Sequence, residues 1–428
     1  MSIKILHLSS FDVVGGAARA AYRIHQGLLG IGANSQMLVQ YKVGGDQTVE
    51  VTEGKVITKG RSLIDSAPLK RYPQRQQLFS PQWVPDAIAA KVAQLNPDII
   101  NLNWVCNGFL RVETLAKLNR PLTWTLQDMW AFTGGCHYSQ GCDRYKAACG
   151  SCPQLHSDRE ADLSRSVWQR KAKAWKSLNL TVVAPSEWMA KCASASSLFK
   201  NVRVEVIPFG LDIAVFKPVE ARVARELLNL PQDKQLVLFG AIDATGDLRK
   251  GFHLLQAALR NLSQSGWGDR IELVVFGSSK PDKPIDLGFP VHYLGKLQDD
   301  LPLRLAYAAA DVMIAPSIEE AFGQTASESL ACGTPVVVFT NTGLKDIVDH
   351  QQNGYVASYC DTEDLAKGIA WVLEDSERHQ NLRYAAREKA EREYAMEVQA
   401  HRYLSLFHEI LNQSPASSRA TLLVNQPL

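Results

Sequence analysis

The sequence predicts an α/β protein of two domains, each built on a parallel sheet with helices on both faces. Short apolar runs of strand length recur along the chain of 428 residues, and helical stretches separate them. Prolines, a glycine and a loss of periodicity interrupt this alternation once, near residues 208–218. The length is sufficient for two domains with separate cores, so a pair of Rossmann-like domains is expected.

The first domain is predicted to span residues 1–212. Residues 44–80 are polar and are expected to be irregular, and a Gly- and Cys-rich insert occupies residues 133–153. Its strands are predicted at 3–9, 36–41, 99–103, 122–126, 180–184 and 204–207, and its helices at 17–29, 86–95 and 160–177.

The second domain is predicted to span residues 213–395. A charged helical region covers about 363–411, and a polar tail occupies 413–428. The strands are predicted at 235–240, 271–276, 291–294, 312–315 and 335–339.

Composition and charge narrow the class of protein. The N-terminus has no signal-peptide pattern and no apolar run approaches the ~18 residues of a membrane span, so a cytoplasmic protein is expected. The net charge of +2 is uneven: residues 1–218 hold 26 Lys and Arg against 16 Asp and Glu, and the remainder holds 20 against 28. A basic first half is compatible with nucleic acid, anionic lipid or a phosphorylated substrate.

The segment 311–338 carries the clearest chemical signal. A strand ends at Pro316, a loop brings Glu319 and Glu320, and a helix that starts near Gln324 carries Glu328. Backbone N–H groups at a helix start bind phosphate, and carboxylates accept hydrogen bonds from sugar hydroxyls. Together they describe a site for a nucleotide sugar, and a solvated loop with capping glutamates is the alternative.

This segment resembles the Glu-x7-Glu signature of retaining glycosyltransferases of family 4, which have the GT-B fold. The matching positions are Pro316, Ser317, Glu320, Phe322, Gly323 and Glu328, and the likeness extends over nearly the whole chain. It implies two sheets facing across a cleft, with the acceptor on the first domain and a UDP- or GDP-sugar on the second. It also implies that a helix at 396–412 crosses back to the first domain.

The resemblance implies roles for individual residues. Glu320 would contact the donor sugar and stabilise charge on it, and Lys250 would neutralise the diphosphate. Relatives carry a second cation after the glycine that corresponds to Gly240; Ala241 stands there, and Arg249 could replace it. The implied donor-binding set is Gly15, Gly16, Arg19, Arg249, Lys250, Gly277, Leu294, Glu320, Phe322, Gly323, Gln324, Thr325 and Glu328, with Glu328 on the ribose.

Residues 121–153 resemble a narrower branch of this family from bacterial exopolysaccharide clusters. The likeness implies that Asp128 and His137 are catalytic residues of the cleft. Gln127 and Asn103 stand where that branch has His, and neither side chain can transfer a proton as His does.

Four cysteines cluster in the insert with the spacing C-x5-C-x6-C-x2-C. They are Cys136, Cys142, Cys149 and Cys152. Four thiolates can close a structural zinc site, and free packed thiols are the alternative. No cofactor is expected for catalysis.

Two tryptophans seven residues apart, Trp168 and Trp175, lie on one face of a basic helix. They indicate either core packing or attachment to an anionic membrane surface at the inner face of the cell membrane.

The function predicted is transfer of a sugar, with retention, from a nucleoside-diphosphate sugar to a saccharide or lipid-linked acceptor. Two alternatives remain open: a sugar-nucleotide epimerase of the same fold, and a nucleotide-sugar-binding subunit without catalysis. Nucleic acid is not an expected partner, since no motif supports it.

Overall fold

A computed structural model describes residues 3–75, 77–240, 246–278, 286–297 and 299–413. The chain forms two compact units, one of residues up to 207 together with those from 399 on, and one of residues 208–398. The polar tail predicted at 413–428 lies outside the described residues except for Gln413, and Ala241 also lies outside them.

The first unit is built on a seven-stranded sheet in which every neighbouring pair is parallel. The strands are β1 (Lys4–Phe11), β2 (Asn34–Tyr41), β3 (Val49–Val51), β4 (Ile99–Leu102), β5 (Leu122–Thr125), β6 (Leu180–Ala184) and β7 (Arg203–Val206). The helices are α1 (Gly16–Gly30), α2 (Lys55–Asp65), α3 (Ile88–Leu95), α4 (Leu163–Ala174) and α5 (Glu187–Ala195). The order β3-β2-β1-β4-β5-β6-β7 reverses direction between β1 and β4.

The second unit is built on a six-stranded parallel sheet of order β10-β9-β8-β11-β12-β13. Its strands are β8 (Gln235–Gly240), β9 (Ile271–Phe276), β10 (Val291–Gly295), β11 (Val312–Ala315), β12 (Val336–Phe339) and β13 (Gly354–Ala357). The helices are α6 (Ala221–Leu227), α7 (Phe252–Leu262), α8 (Asp300–Ala309), α9 (Gln324–Ala331), α10 (Thr362–Glu374) and α11 (Ser376–Tyr394), and α12 (Met396–Gln413) follows. The two parallel sheets confirm the predicted fold class.

Helix α12 belongs to the first unit from Gln399 on. Its Tyr403 and Phe407 are fully buried in one apolar cluster with Ile5 and Ile24, which lie on β1 and α1. The Tyr403 hydroxyl lies 2.9 Å from the Thr125 hydroxyl at the end of β5. The apolar face of α12 therefore completes the core of the first unit.

The expectation of irregular structure over residues 44–80 was wrong, because the segment contains β3 and α2. Helix α2 exposes Val56, Ile57 and Leu63, and its fully buried residues include the polar Thr58 and Asp65. Asp65 accepts hydrogen bonds from the backbone of residues 82 and 83. The buried face of this helix is therefore polar and its apolar residues are exposed, which reverses the pattern expected of a helix that packs on a core.

No helix within the described ranges is both long enough and apolar enough to cross a membrane.

Candidate functional site

The predicted donor residues of the second unit follow the carboxyl ends of its strands. Lys250 follows β8, and Gly277 follows β9 directly. Leu294 is the last residue but one of β10, and Glu320 follows β11. The sheet reverses its strand order between β8 and β11, and ligands of such sheets bind outside the carboxyl ends at this point. The fold therefore brings these separate segments to one edge.

Lys250 and Glu320 form an ion pair at this edge. The Lys250 Nζ lies 2.5 Å from Glu320 Oε2, and the Arg249 guanidinium lies 3.7 Å from the same oxygen. The side chains of Lys250 and Glu320 are 18% and 14% exposed, so the pair is largely shielded from water but reachable from one side. The Lys250 ammonium and the Arg249 guanidinium thus both lie within 4 Å of the Glu320 carboxylate.

Arg249 also ties the two loops together. It donates to the Glu319 carbonyl at 2.9 Å and pairs with Asp247 at 2.9 Å. The Ile318 N–H donates to the Arg249 carbonyl at 2.8 Å. The position of Lys250 against Glu320 therefore rests on backbone bonds as well as on charge.

Gly251 allows the two loops to approach this closely. Its φ of +72° is a left-handed conformation, and a Cβ atom there would lie 1.9 Å from the Pro316 carbonyl oxygen. Only glycine fits such a position without displacement of the loop that carries Glu320. The residue after Lys250 is thus fixed by packing, and it is also the N-cap of α7.

The ionised form of Glu320 is favoured. Burial would raise the pKa of this carboxyl group, but the charges of Lys250 and Arg249 outweigh burial and lower its pKa below the ordinary 4.5. Glu320 is therefore a carboxylate at neutral pH, suited to accept hydrogen bonds from sugar hydroxyls.

Helix α9 begins beside Glu320 and has no side-chain cap. Gly323 occupies its N-cap position. The Phe322 ring is buried against Phe209 and Tyr394, with ring centroids 5.3 and 5.7 Å away. The Phe322 side chain is therefore not available to a ligand, and any contact that Phe322 makes with the donor would be through its backbone N–H group. The start of α9, with Gln324 and Thr325, presents the positive end of a helix dipole.

Glu328 lies one turn into α9 and is only 4% exposed. The Tyr307 hydroxyl donates to its Oε2 at 3.0 Å, and Tyr307 itself is fully buried. Its side chain is therefore held in one orientation before any ligand binds.

The predicted residues of the first unit also gather at one sheet edge. Gly15 and Gly16 follow β1 and open α1, whose first turn includes Arg19. Asp12, in the same loop, accepts backbone N–H bonds from Val43 and Gly44 at 2.9 and 2.7 Å. The glycine turn is thereby fixed beside the carboxyl end of β2.

Asp128 and His137 are in direct contact. The His137 Nδ1 lies 2.6 Å from Asp128 Oδ2, and its Nε2 lies 2.9 Å from the Ser80 hydroxyl. The Trp104 indole N–H donates to the same Asp128 oxygen at 2.9 Å. His137 is 4% exposed with both ring nitrogens partnered, so Asp128 and Trp104 form the more accessible part of the group.

Sequence reasoning missed Trp104 and Ser80. Trp104 is partly buried and follows β4 by two residues, at the strand-order reversal. Its place after a buried strand is the signal that could have identified it. Ser80 lies in the segment read as irregular, where no pattern indicates its contact with His137.

Asn103 and Gln127, which replace the branch's histidines, lie beside this group. The Gln127 side-chain amide lies 3.4 Å from the Asn103 side-chain oxygen, and Asn103 is 2% exposed. Both residues serve here as hydrogen-bonding groups.

The four insert cysteines line one small cavity. Three of them are buried, and Cys142 is partly exposed. As the side chains stand, no three His, Cys, Asp or Glu residues in the described part of the chain are grouped so that they could hold a metal ion.

The basic helix α4 packs inward. The Trp175 ring is buried against Trp124 at 5.2 Å, and its N–H donates to the Val112 carbonyl. Lys171 is fully buried under the carbonyls of Trp130 and Thr133, and burial lowers its pKa to about 7. Core packing therefore accounts for Trp175, which does not lie on a surface available to a membrane.

Comparisons with known proteins find a family match within the second unit. Residues 225–389 match the family model for glycosyl transferases group 1. A D-inositol 3-phosphate glycosyltransferase of Xylanimonas cellulosilytica is 34% identical over 230 residues, which are 50% of this chain and 53% of that protein. The chain thus spans about half the length of this relative. A putative colanic acid biosynthesis glycosyl transferase of Escherichia coli K12 is 24% identical over 78% of this chain and 82% of that protein.

Solved structures show the fold of the whole chain. A sucrose-phosphate synthase from Thermosynechococcus elongatus superposes with a TM-score of 0.69 at 19% identity, over 96% of this chain and 100% of that one. The HepE protein of Anabaena, solved in complex with UDP-glucose, gives a TM-score of 0.63 at 17% identity, over 95% and 100%. The fold is GT-B, as the sequence predicted.

Proposed function

We propose that this chain is a retaining glycosyltransferase that moves a sugar from a nucleoside-diphosphate sugar to a saccharide or lipid-linked acceptor. The group 1 glycosyltransferase match of residues 225–389 supports sugar transfer in general. The donor, the acceptor and the stereochemistry are our inference from the residues. Polysaccharide biosynthesis is the setting that we favour, and the Escherichia coli relative named for colanic acid biosynthesis supports it.

The ion pair between Lys250 and Glu320 carries the proposal. The Lys250 ammonium and the Glu320 carboxylate form an ion pair at 2.5 Å. In the proposed complex the diphosphate of a nucleotide sugar would bind the ammonium. The hydroxyls of its sugar would donate hydrogen bonds to the carboxylate. Arg249, 3.7 Å from the same carboxylate oxygen, can follow the phosphate as a second cation.

The chemistry requires stabilisation of a leaving diphosphate. In our proposal Lys250, Arg249 and the start of α9 lower the energy of the developing charge, because they are positioned before the reaction begins. Glu320 holds the donor sugar and stabilises positive charge on it, and Glu328 binds the ribose. Gly277 and Leu294 would complete the donor contacts of the second unit. The leaving phosphate then acts as the base for the acceptor hydroxyl, with attack on the same face as departure.

The acceptor would bind to the first unit. Trp104 offers an aromatic face and Asp128 a carboxylate, which together suit a sugar. His137 holds Asp128 in place. We propose a cytoplasmic protein with peripheral contact to the inner membrane face, supported by the excess of ten positive charges in residues 1–218 rather than by Trp175.

Calorimetric titration of UDP, GDP and ADP into the purified protein tests the donor site. We expect one nucleotide to bind, and Lys250→Ala to weaken it by about tenfold or more, the equivalent of one charge-assisted hydrogen bond. Lys234→Ala is the matched control, because the Lys234 amine donates to the exposed backbone carbonyl of Asp269 at 2.9 Å. Equal nucleotide affinity in the two variants would contradict the assignment of Lys250 to the donor site.

Turnover separates the proposal from its rivals. Incubation of the nucleotide sugar without acceptor should leave the donor unchanged, whereas an epimerase would convert its sugar. Incubation with saccharide acceptors should release the nucleoside diphosphate and give a product with the donor's anomeric configuration. Nucleotide binding with no turnover on any acceptor would favour a binding subunit that has lost catalysis.

A further inference from the structure

We propose that Cys136, Cys142, Cys149 and Cys152 bind one structural zinc ion in the first unit. This site stands apart from the donor site, and it does not rest on the proposed function. The four residues fall within 17 positions of the chain, and their side chains line a single cavity. Four thiolates in tetrahedral arrangement are a common ligand set of structural zinc.

The second half of the insert makes a tight turn between two of the cysteines. Cys149 and Cys152 are separated by Gly150 and Ser151, both of which have positive φ values of 143° and 43°. This conformation turns the chain tightly, so that both cysteines face the same cavity. The remaining two cysteines enter from the preceding loop and close the set.

A backbone N–H group already points at one of the sulfur atoms. The Gly134 N–H donates to the Cys149 Sγ at 3.1 Å. Such bonds stabilise a thiolate more than a neutral thiol, because the acceptor carries a full charge. Arg144 lines the same cavity and adds a positive charge beside it.

Close packing at Gly134 supports a dedicated site. A Cβ atom at this position would lie 2.6 Å from the Cys149 Cβ and 3.0 Å from its sulfur. A side chain at residue 134 would therefore block the approach of the N–H group to the sulfur. Apolar packing of free thiols gives no reason for this arrangement, since a neutral thiol is a weak hydrogen-bond acceptor.

The sulfur atoms as they stand are not yet a closed ligand shell. Closure of the shell would require the cysteine side chains to change rotamer around the cavity, and Zn–S bonds of about 2.3 Å would then fix those rotamers. Cys142 also borders an open surface pocket with Gln140 and His156, which gives a metal ion a path inward.

The metal would organise the acceptor side of the protein. Cys136 is followed directly by His137, whose ring contacts Asp128 and Ser80. A zinc ion bound to Cys136 would therefore hold the acceptor-side carboxylate through one adjacent residue. The ion pair of Lys250 and Glu320 lies in the other unit, so nucleotide binding there should not depend on zinc.

Metal content of the full chain, purified under reducing conditions without chelator, tests the proposal. We expect about one zinc per chain by inductively coupled plasma mass spectrometry. Most of this zinc should be lost in each of four variants, Cys136→Ser, Cys142→Ser, Cys149→Ser and Cys152→Ser. Cys192→Ser is the control, because Cys192 lies on α5 of the same unit outside the cavity, and it should retain the zinc.

Cobalt gives a second measurement that needs no substitution. Co²⁺ added to chelator-treated protein should produce the visible absorption bands of tetrahedral thiolate coordination. Unchanged nucleotide affinity in the Cys→Ser variants would show that their second unit is folded. Folded protein that takes up neither Zn²⁺ nor Co²⁺ would overturn the proposal, as would zinc that persists in all four variants or disulfides among the four cysteines after purification with reductant.

Discussion

At the scale of single residues, the state of Glu320 depends on its neighbours. Its side chain is 14% exposed, and burial alone would favour the neutral acid. Lys250 and Arg249 reverse that preference and lower its pKa. A group with a lowered pKa in the folded state contributes stability above its unfolded pKa, and this contribution is lost as the pH falls through the folded pKa.

Lys250→Met should therefore destabilise the protein in a pH-dependent way. At pH 7 the variant leaves a buried carboxylate with weaker support, at a cost of about 1–3 kcal/mol. The pKa of Glu320 rises in the variant, so it is protonated at a higher pH than in the wild type. Urea unfolding across pH 7 to about 3 should show the difference between the two proteins shrinking as the pH falls through the pKa of Glu320 in the variant and then through its lower pKa in the wild type. A difference that is constant with pH would contradict this account, and Lys234→Met should change little at any pH.

Tyr307 offers a second prediction at this scale. Its hydroxyl donates to Glu328 at 3.0 Å in a buried environment. Tyr307→Phe removes the donor and leaves the carboxylate oxygen without this bond, so we expect a loss of about 1–3 kcal/mol in unfolding free energy. Under the proposed function nucleotide affinity should fall as well, whereas only the stability of the nucleotide-free protein would fall if Glu328 has no ligand role. Unfolding and calorimetry on the same variant separate the two effects.

At the scale of elements, the loop pair 247–251 and 316–320 depends on one glycine. Gly251→Ala places a Cβ 1.9 Å from the Pro316 carbonyl oxygen, and alanine is strained at φ +72°. We expect a loss of at least about 2 kcal/mol and of nucleotide binding, because Glu320 and Lys250 are displaced together.

Gly268→Ala, at a glycine outside these two loops, is the matched control. Gly268 has a right-handed conformation with φ −51°, and a Cβ atom there would lie 3.9 Å from the Ser263 carbonyl oxygen. Alanine there should be neutral or stabilising by about 0.4–1 kcal/mol. Equal losses in both variants would show that the close approach at Gly251 is not the cause.

Helix α12 is predicted to be essential for the first unit although it is distant in sequence. Phe407→Ala removes a fully buried ring from the cluster that includes Ile5 and Ile24, at an expected cost of about 3–5 kcal/mol. The exposed His408 is the control, and His408→Ala should change stability by less than about 0.5 kcal/mol. Urea unfolding of both variants, followed by a probe in the first unit, measures the difference.

The sequence predicted elements best where burial is strong. The strands β8 and β11 are nearly continuous apolar runs, and their predicted bounds agree with the structure. β3 was missed because it has only three residues, and β13 because Gly354 opens it. The site at Lys250 and Glu320 could be anticipated from the motif, but their 2.5 Å contact depends on strand order, which no local pattern encodes.

At the scale of the whole molecule, each unit has its own apolar core. One cluster joins β8, β9, α7 and α10, and another joins β1, α1 and α12, with no residue in common. A ligand that binds only the native form of one unit stabilises that unit by mass action, by about 2.7 kcal/mol at a hundredfold excess over its dissociation constant.

Hydrogen exchange with and without the nucleotide that binds should therefore distinguish the two units. We expect slowly exchanging amides of β8, β9 and β11 to gain protection equivalent to that free energy. Amides of β4, β5 and β6 should be unchanged, because their exchange requires opening of a core that contains no donor residue. Equal gains in both sheets would mean that the units unfold as one cooperative body. Gains confined to the first sheet would contradict the assignment of the donor to the second.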